Sequence, residues 1–104
     1  MTVAALPCCL LILAAAIPVM AQQPPGNPEM VQAGKKQFEA HCAGCHGADG
    51  AMLPNVSLKD IKSRKDMAAV AQWIKNPKPP MTRLFPSPFG AQDVEDIAAY
   101  VEGL

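Results

Sequence analysis

Past an apolar opening, the chain spaces its hydrophobic residues as helices do, every third or fourth position, with no strand-like alternation. The opening itself is a different kind of segment. Leu10 to Ile17 is uninterrupted apolar sequence, and Val3 to Ala21 carries no charge. Residues 1–21 read as an export signal, with Val19-Met20-Ala21 offering a small-residue cleavage site before Gln22. Only the terminal amine supplies positive charge ahead of the run, and the stretch is nearly long enough to cross a bilayer. An uncleaved anchor facing the periplasm therefore stands as the alternative. Residues 22–27 (Gln-Gln-Pro-Pro-Gly-Asn) make a short polar lead, and 28–104 a single domain.

That domain opens with Asn27 as a cap, Pro28 at the first helical position and Glu29 at the positive helix end. Val31, Gly34, Phe38, Cys42 and Cys45 then mark one helical face. Gly34 is costly within a helix, so a close approach of another backbone or ring is expected there. Leu58 to Lys62 suits a short turn with Leu58 and Ile61 inward. Ser63-Arg64-Lys65-Asp66 resembles a capping box with Ser63 as cap. It precedes the stripe Met67, Val70, Ala71, Ile74, which Asn76-Pro77 ends. Five prolines between Asn76 and Pro88 forbid helix and stiffen an extended strap. The last helix is expected over Ala91–Glu102, capped at Gly90 and with Asp93 and Glu95 near its positive end. Val94, Ile97, Ala98 and Val101 face inward, and Tyr100 is placed against Phe38 over Gly34. The class is all-α, with three to four short helices.

Nine basic and nine acidic residues leave no net charge, so no global field draws nucleic acid or an anionic membrane. A domain of this size has a marginal core and needs a staple. Disulfides do not supply one. Cys8 and Cys9 leave with the signal, and only Cys42 and Cys45 remain.

Those two belong to Cys42-Ala43-Gly44-Cys45-His46, the C-x-x-C-H attachment signal of c-type haem. On a helix, residues three apart project from one side, so both sulfurs reach adjacent edges of a single porphyrin. His46 is turned a further ~100° and comes up beneath the ring centre. A redox disulfide needs a chain alternating strands and helices, and a zinc site needs four ligands; neither accompanies this motif. One haem c, covalent through Cys42 and Cys45, is the expected cofactor, and it would be the staple.

The remaining site residues follow from that expectation. A metal-bound histidine donates its second ring proton to a fixed acceptor, and the Pro54 carbonyl is the candidate. Met81, on the proline-stiffened strap, is the candidate ligand for the far haem face. Met67 belongs to the core stripe, and Met52, tethered to the His46 face, to packing. Trp73, one position off its stripe, is either a half-buried helix edge or a donor to a haem propionate. His41 is expected to be solvated, and Phe85 and Phe89 either to close the haem crevice or to serve ordinary packing.

Taken together, these residues resemble a small class I cytochrome c of bacterial type. The likeness is carried by Cys42-Ala-Gly-Cys-His46 after a helix with Gly34 and Phe38, by Leu53-Pro54-Asn55, and by Trp73-Ile74-Lys75-Asn76-Pro77. Pro80-Met81 and the closing Asp96-Ile97-Ala98-Ala99-Tyr100-Val101 complete it. The resemblance implies helices and loops wrapped around one covalent haem, His46 and Met81 as axial ligands, and single-electron transfer between exported, periplasmic redox proteins. The strap departs from the family in its extra Pro86-Ser87-Pro88.

Two other roles stand beside a free carrier: a permanent haem subunit of a dehydrogenase or oxidase, and a five-coordinate haem enzyme or gas sensor. From Lys59 to Arg83 there are seven basic and two acidic residues, whereas Asp93 to Glu102 holds four acidic and none basic. If the strap lines the haem edge, the donor or acceptor would carry an acidic docking surface; the alternative is a pair of ordinary solvated faces. A membrane enters only through an uncleaved anchor.

Overall fold

The computed structural model describes Thr2, Ala4 and residues 26–104. Apart from Thr2 and Ala4, the expected export signal lies outside the described residues. Four helices follow in order: α1 Pro28–His41, α2 Ala43–His46, α3 Met67–Lys75 and α4 Ala91–Glu102. Two 3₁₀ turns, Pro54–Val56 and Ile61–Ser63, lie between α2 and α3. There is no strand among the described residues, and no helix among them is long and apolar enough to cross a membrane.

Local chemistry sets most of these boundaries. The Asn27 side chain accepts from the Met30 N–H at 3.0 Å with Pro28 at the first helical position, so α1 begins as expected. Helix α4 begins at Gly90, whose N–H donates to Asp93 Oδ2 at 2.9 Å. Helix α3 stops at Lys75 before Asn76-Pro77, also as expected. Its start differs. Asp66, not Ser63, is the cap: Asp66 Oδ1 accepts from the Ala69 N–H at 2.8 Å. Ser63 closes the preceding 3₁₀ turn instead, and its hydroxyl donates to the Asp60 carbonyl at 2.8 Å. One hydroxyl serves the earlier turn, and the carboxylate beyond it serves the helix.

Helix α4 packs against α1 on one side and α3 on the other. At the α1–α4 crossing the two backbones nearly touch: a Cβ on Gly34 would collide with the Asp96 carbonyl and come within 2.9 Å of the Ile97 nitrogen. Only glycine permits that approach. Beside it, the Phe38 and Tyr100 rings meet with centroids 5.2 Å apart, tilted by 55°. The core gathers Phe38, Val70, Ala71, Ile74, Val94, Ile97, Ala98 and Val101 with Ile61 and Phe89, and Met67 and Leu58 pack at its margin.

The chain between α2 and α3 is pinned by backbone bonds rather than by a regular element. Gly47 and Gly50 turn it at φ +82° and +77°. The Leu58 N–H donates to the Gly50 carbonyl at 2.8 Å, and the Asp60 N–H to that of Leu104 at 3.0 Å. The C-terminal residue thus holds the loop that carries the attachment segment's exit.

Candidate functional site

A cleft of about 380 Å³ opens between α1, α3, the 54–58 segment and the strap. Its walls are largely apolar: Phe38, Val56, Leu58, Ile61, Val70, Ile74, Ile97 and Val101. Cys42, His46, Pro54, Trp73 and Met81 share that lining, so five of the six site residues named from the sequence meet in one space. Cys45, the sixth, is exposed on α2, one residue before His46. An apolar cleft with few polar groups has the character of a cofactor site.

The attachment segment is built by a change of helix. Helix α1 closes with the Cys42 N–H on the Phe38 carbonyl at 2.8 Å, and the Cys42 carbonyl then accepts from the N–H groups of Cys45 and His46 at 3.2 and 3.0 Å. Both cysteines are free thiols. Burial, with the neighbouring Cys45 charge second, pushes the Cys42 thiol up to about 11. That thiol stays protonated near neutrality and is an inert partner for adventitious oxidation.

Burial also lowers His46 from the ordinary imidazole value. The neutral ring is favoured, and that is the form that ligates a metal. Its Nδ1 is shut from solvent with no hydrogen-bond partner. The bond expected from this ring to the Pro54 carbonyl is not formed, although Pro54 stands in the same cleft wall. A buried ring nitrogen without a partner is costly by itself. A histidine that lines an apolar cleft with its neutral form favoured fits a ligand to haem iron.

In the same lining the strap carries Met81 as expected, in irregular chain. Its N–H donates to the Lys78 carbonyl at 3.1 Å, which fixes the local turn. Trp73 has a partner that the sequence does not suggest. Its indole N–H donates to Met81 Sδ at 3.2 Å, and the Lys65 ammonium lies 5.6 Å from the indole ring centre. Of the two roles open for Trp73, its 38% exposure fits the half-buried helix edge, and its N–H is engaged by the thioether of the candidate ligand.

Three further expectations are corrected or refined. Met52, expected to pack, stands 60% exposed. Phe89 is 1% exposed in the core beneath the edge of the His41 ring, centroids 5.0 Å apart, and Phe85 packs at the core margin under Lys75. Neither phenylalanine lines the cleft. His41 is exposed, as expected.

The family model for cytochrome c oxidase, cbb3-type, subunit III matches residues 29–101. The chain is 32% identical over 96 residues to the cbb3-type cytochrome c oxidase subunit FixP of Rhizobium meliloti (strain 1021); the match takes in 86% of this chain and 33% of FixP. It therefore spans about a third of that relative's length. Cytochrome c6 of Pyropia tenera is 34% identical over 73 residues, covering 65% of this chain and 85% of the algal protein. Among solved structures, that of an OmcF mutant superposes with a TM-score of 0.56 at 28% identity, over 67% of this chain and 92% of the other. The chain belongs to the cbb3-type cytochrome c oxidase subunit III family, as a small monohaem c-type cytochrome of all-α class I fold that binds its haem covalently.

Proposed function

We propose that Cys42 and Cys45 are the thioether links, that His46 and Met81 close the iron from its two faces, and that the domain passes single electrons between exported redox proteins. The observation that carries this reading is the convergence of Cys42, His46 and Met81 on one apolar cleft, although Met81 lies 35 residues from His46 along the chain. Bound haem supplies the one-electron couple. The chain would supply its environment: the His46 imidazole and the Met81 thioether would hold the iron, leaving no place for a substrate, and the apolar walls would disfavour the extra charge of the ferric state.

Arg64 and Lys65 stand in the cleft wall beside the exposed Val56 and Trp73. A basic rim around apolar surface favours an acidic face on the electron donor or acceptor, which would speed encounter in a salt-dependent way. Residues 1–21 have the pattern that directs such a domain out of the cytoplasm, with 28–104 as the folded unit. A second reading, that of a standing subunit of an oxidase, is favoured by the family match and by FixP.

Carbon monoxide tests the ligand set. The ferrous protein with Met81 on iron should bind it slowly and incompletely, and Met81→Ala should bind it rapidly while keeping its pigment. Rapid, complete binding by the unaltered protein would remove Met81 from the site and leave an open haem. Size-exclusion of a native extract separates carrier from subunit: a carrier elutes alone, a subunit with a large partner.

A further inference from the structure

The bond between Trp73 and Met81 joins a helix packed in the core to an irregular strap. Trp73 sits on α3, between Val70 and Ile74, both of which are locked in the core. Met81 sits on the irregular strap, flanked by exposed neighbours. A donor on a packed helix therefore orients an acceptor whose sequence neighbours are exposed and do not pack around it. The chemistry is one-directional: an indole N–H only donates, and a thioether sulfur accepts. At 3.2 Å the bond uses one sulfur lone pair and leaves the other for a metal.

Lys65 adds to this arrangement. Its ammonium lies 5.6 Å from the centre of the same indole ring, within the range of a cation–π contact. A cation over the ring draws electron density from it and makes the N–H a better donor. Three side chains thus form one line, Lys65 to Trp73 to Met81.

We propose that Trp73 is the positioning residue for the Met81 sulfur, and that its indole N–H, polarised by Lys65, orients the thioether and weakens it as an electron donor to ferric iron. The inference rests on Met81 being an axial ligand. Weaker donation destabilises the ferric state relative to the ferrous, so the bond raises the reduction potential.

The test uses the matured, haem-bearing protein, with two readouts: the midpoint potential and the weak far-red ferric band that reports methionine sulfur on iron. Trp73→Phe should keep the band but shift it. The potential should fall by an amount equivalent to a roughly two- to tenfold change in the ferric–ferrous equilibrium, the span of one ordinary hydrogen bond. Lys65→Gln should move the potential the same way by less. Trp73 is the single tryptophan of the chain. Replacing it with 5-fluorotryptophan during growth makes only this N–H more acidic and should move the potential upward, and it decides the matter if Trp73→Phe does not mature.

An unchanged potential and band in the fluorinated protein would overturn the inference while leaving Met81 ligation intact. A Trp73→Phe shift that follows the titration of a haem carboxylate, with the band unmoved, would also overturn it by assigning the N–H to a propionate. Absence of the far-red band from the unaltered protein would overturn it by a different route, removing Met81 from iron altogether.

Discussion

The α1–α4 crossing and the cleft face each other across Phe38, and they are finished to different degrees. At the crossing, protein packs on protein: Gly34 admits the Asp96 backbone, and the Phe38 and Tyr100 rings close over the contact. Across the cleft, the same chain leaves a buried imidazole nitrogen without a partner and keeps Val56 and Trp73 exposed beside it. A small domain with a marginal core does not leave such surface open without a use for it. The crossing is where the chain holds itself together; the cleft is where it is built to be completed by a haem.

That contrast is broken most directly at Gly34. Any side chain there meets backbone, which cannot move aside as a flexible side chain can. Gly34→Val should cost about 3 kcal/mol or more, the upper range for overpacking, and urea unfolding should show the loss whether or not haem is attached. A comparable loss confined to the haem-free form would mean that the crossing depends on the cofactor, and the two regions would not be separable.

A smaller effect sharpens the account of how α3 begins. Asp66→Ala should cost about 1 kcal/mol, the usual worth of a helix cap, whereas Ser63→Ala should cost less, since its hydroxyl serves only an exposed turn. The reverse order in denaturant midpoints would restore Ser63 as the cap.

The smallest effect is a pH dependence, and its sign follows from His46. Burial holds the folded imidazole below its ordinary value of 6.5. The unfolded chain then takes up a proton first as pH falls. Stability from this group is complete above 6.5 and is lost as pH drops through the interval below it. A Cys42→Ala, Cys45→Ala protein should show this loss in thermal melts between mildly acidic and neutral pH. With His46 on iron, as proposed, the haem-bearing protein should show this loss at lower pH. Identical profiles would show that His46 is not a ligand.

How far the sequence discloses these features depends on their range. The starts of α1 and α4 and the end of α3 are legible because each is decided within four residues, by Asn27 and Pro28, by Gly90 and Asp93, and by Asn76-Pro77. The haem motif is legible for the same reason, and so is the Gly34 approach, since a glycine inside a helical stripe has few other uses. The cap of α3 is not, because Ser63 and Asp66 both have capping chemistry and only the 3₁₀ turn at Ile61–Ser63 shows which is spent elsewhere. Phe89 presents the same difficulty. A crevice lid and a core residue are alike in composition, and its place under His41 is set by the path of the strap. The Trp73–Met81 bond is out of reach altogether. It joins a helix to an irregular segment eight residues on, and no periodicity describes where that segment turns.

The most direct measurement is the intact mass of the matured protein, taken after unfolding and extraction with acidified organic solvent. One haem should remain on the polypeptide, mapped by digestion to the peptide bearing Cys42 and Cys45. An unmodified mass, with the pigment in the solvent or never present, would contradict the covalent site and with it the completion of the cleft.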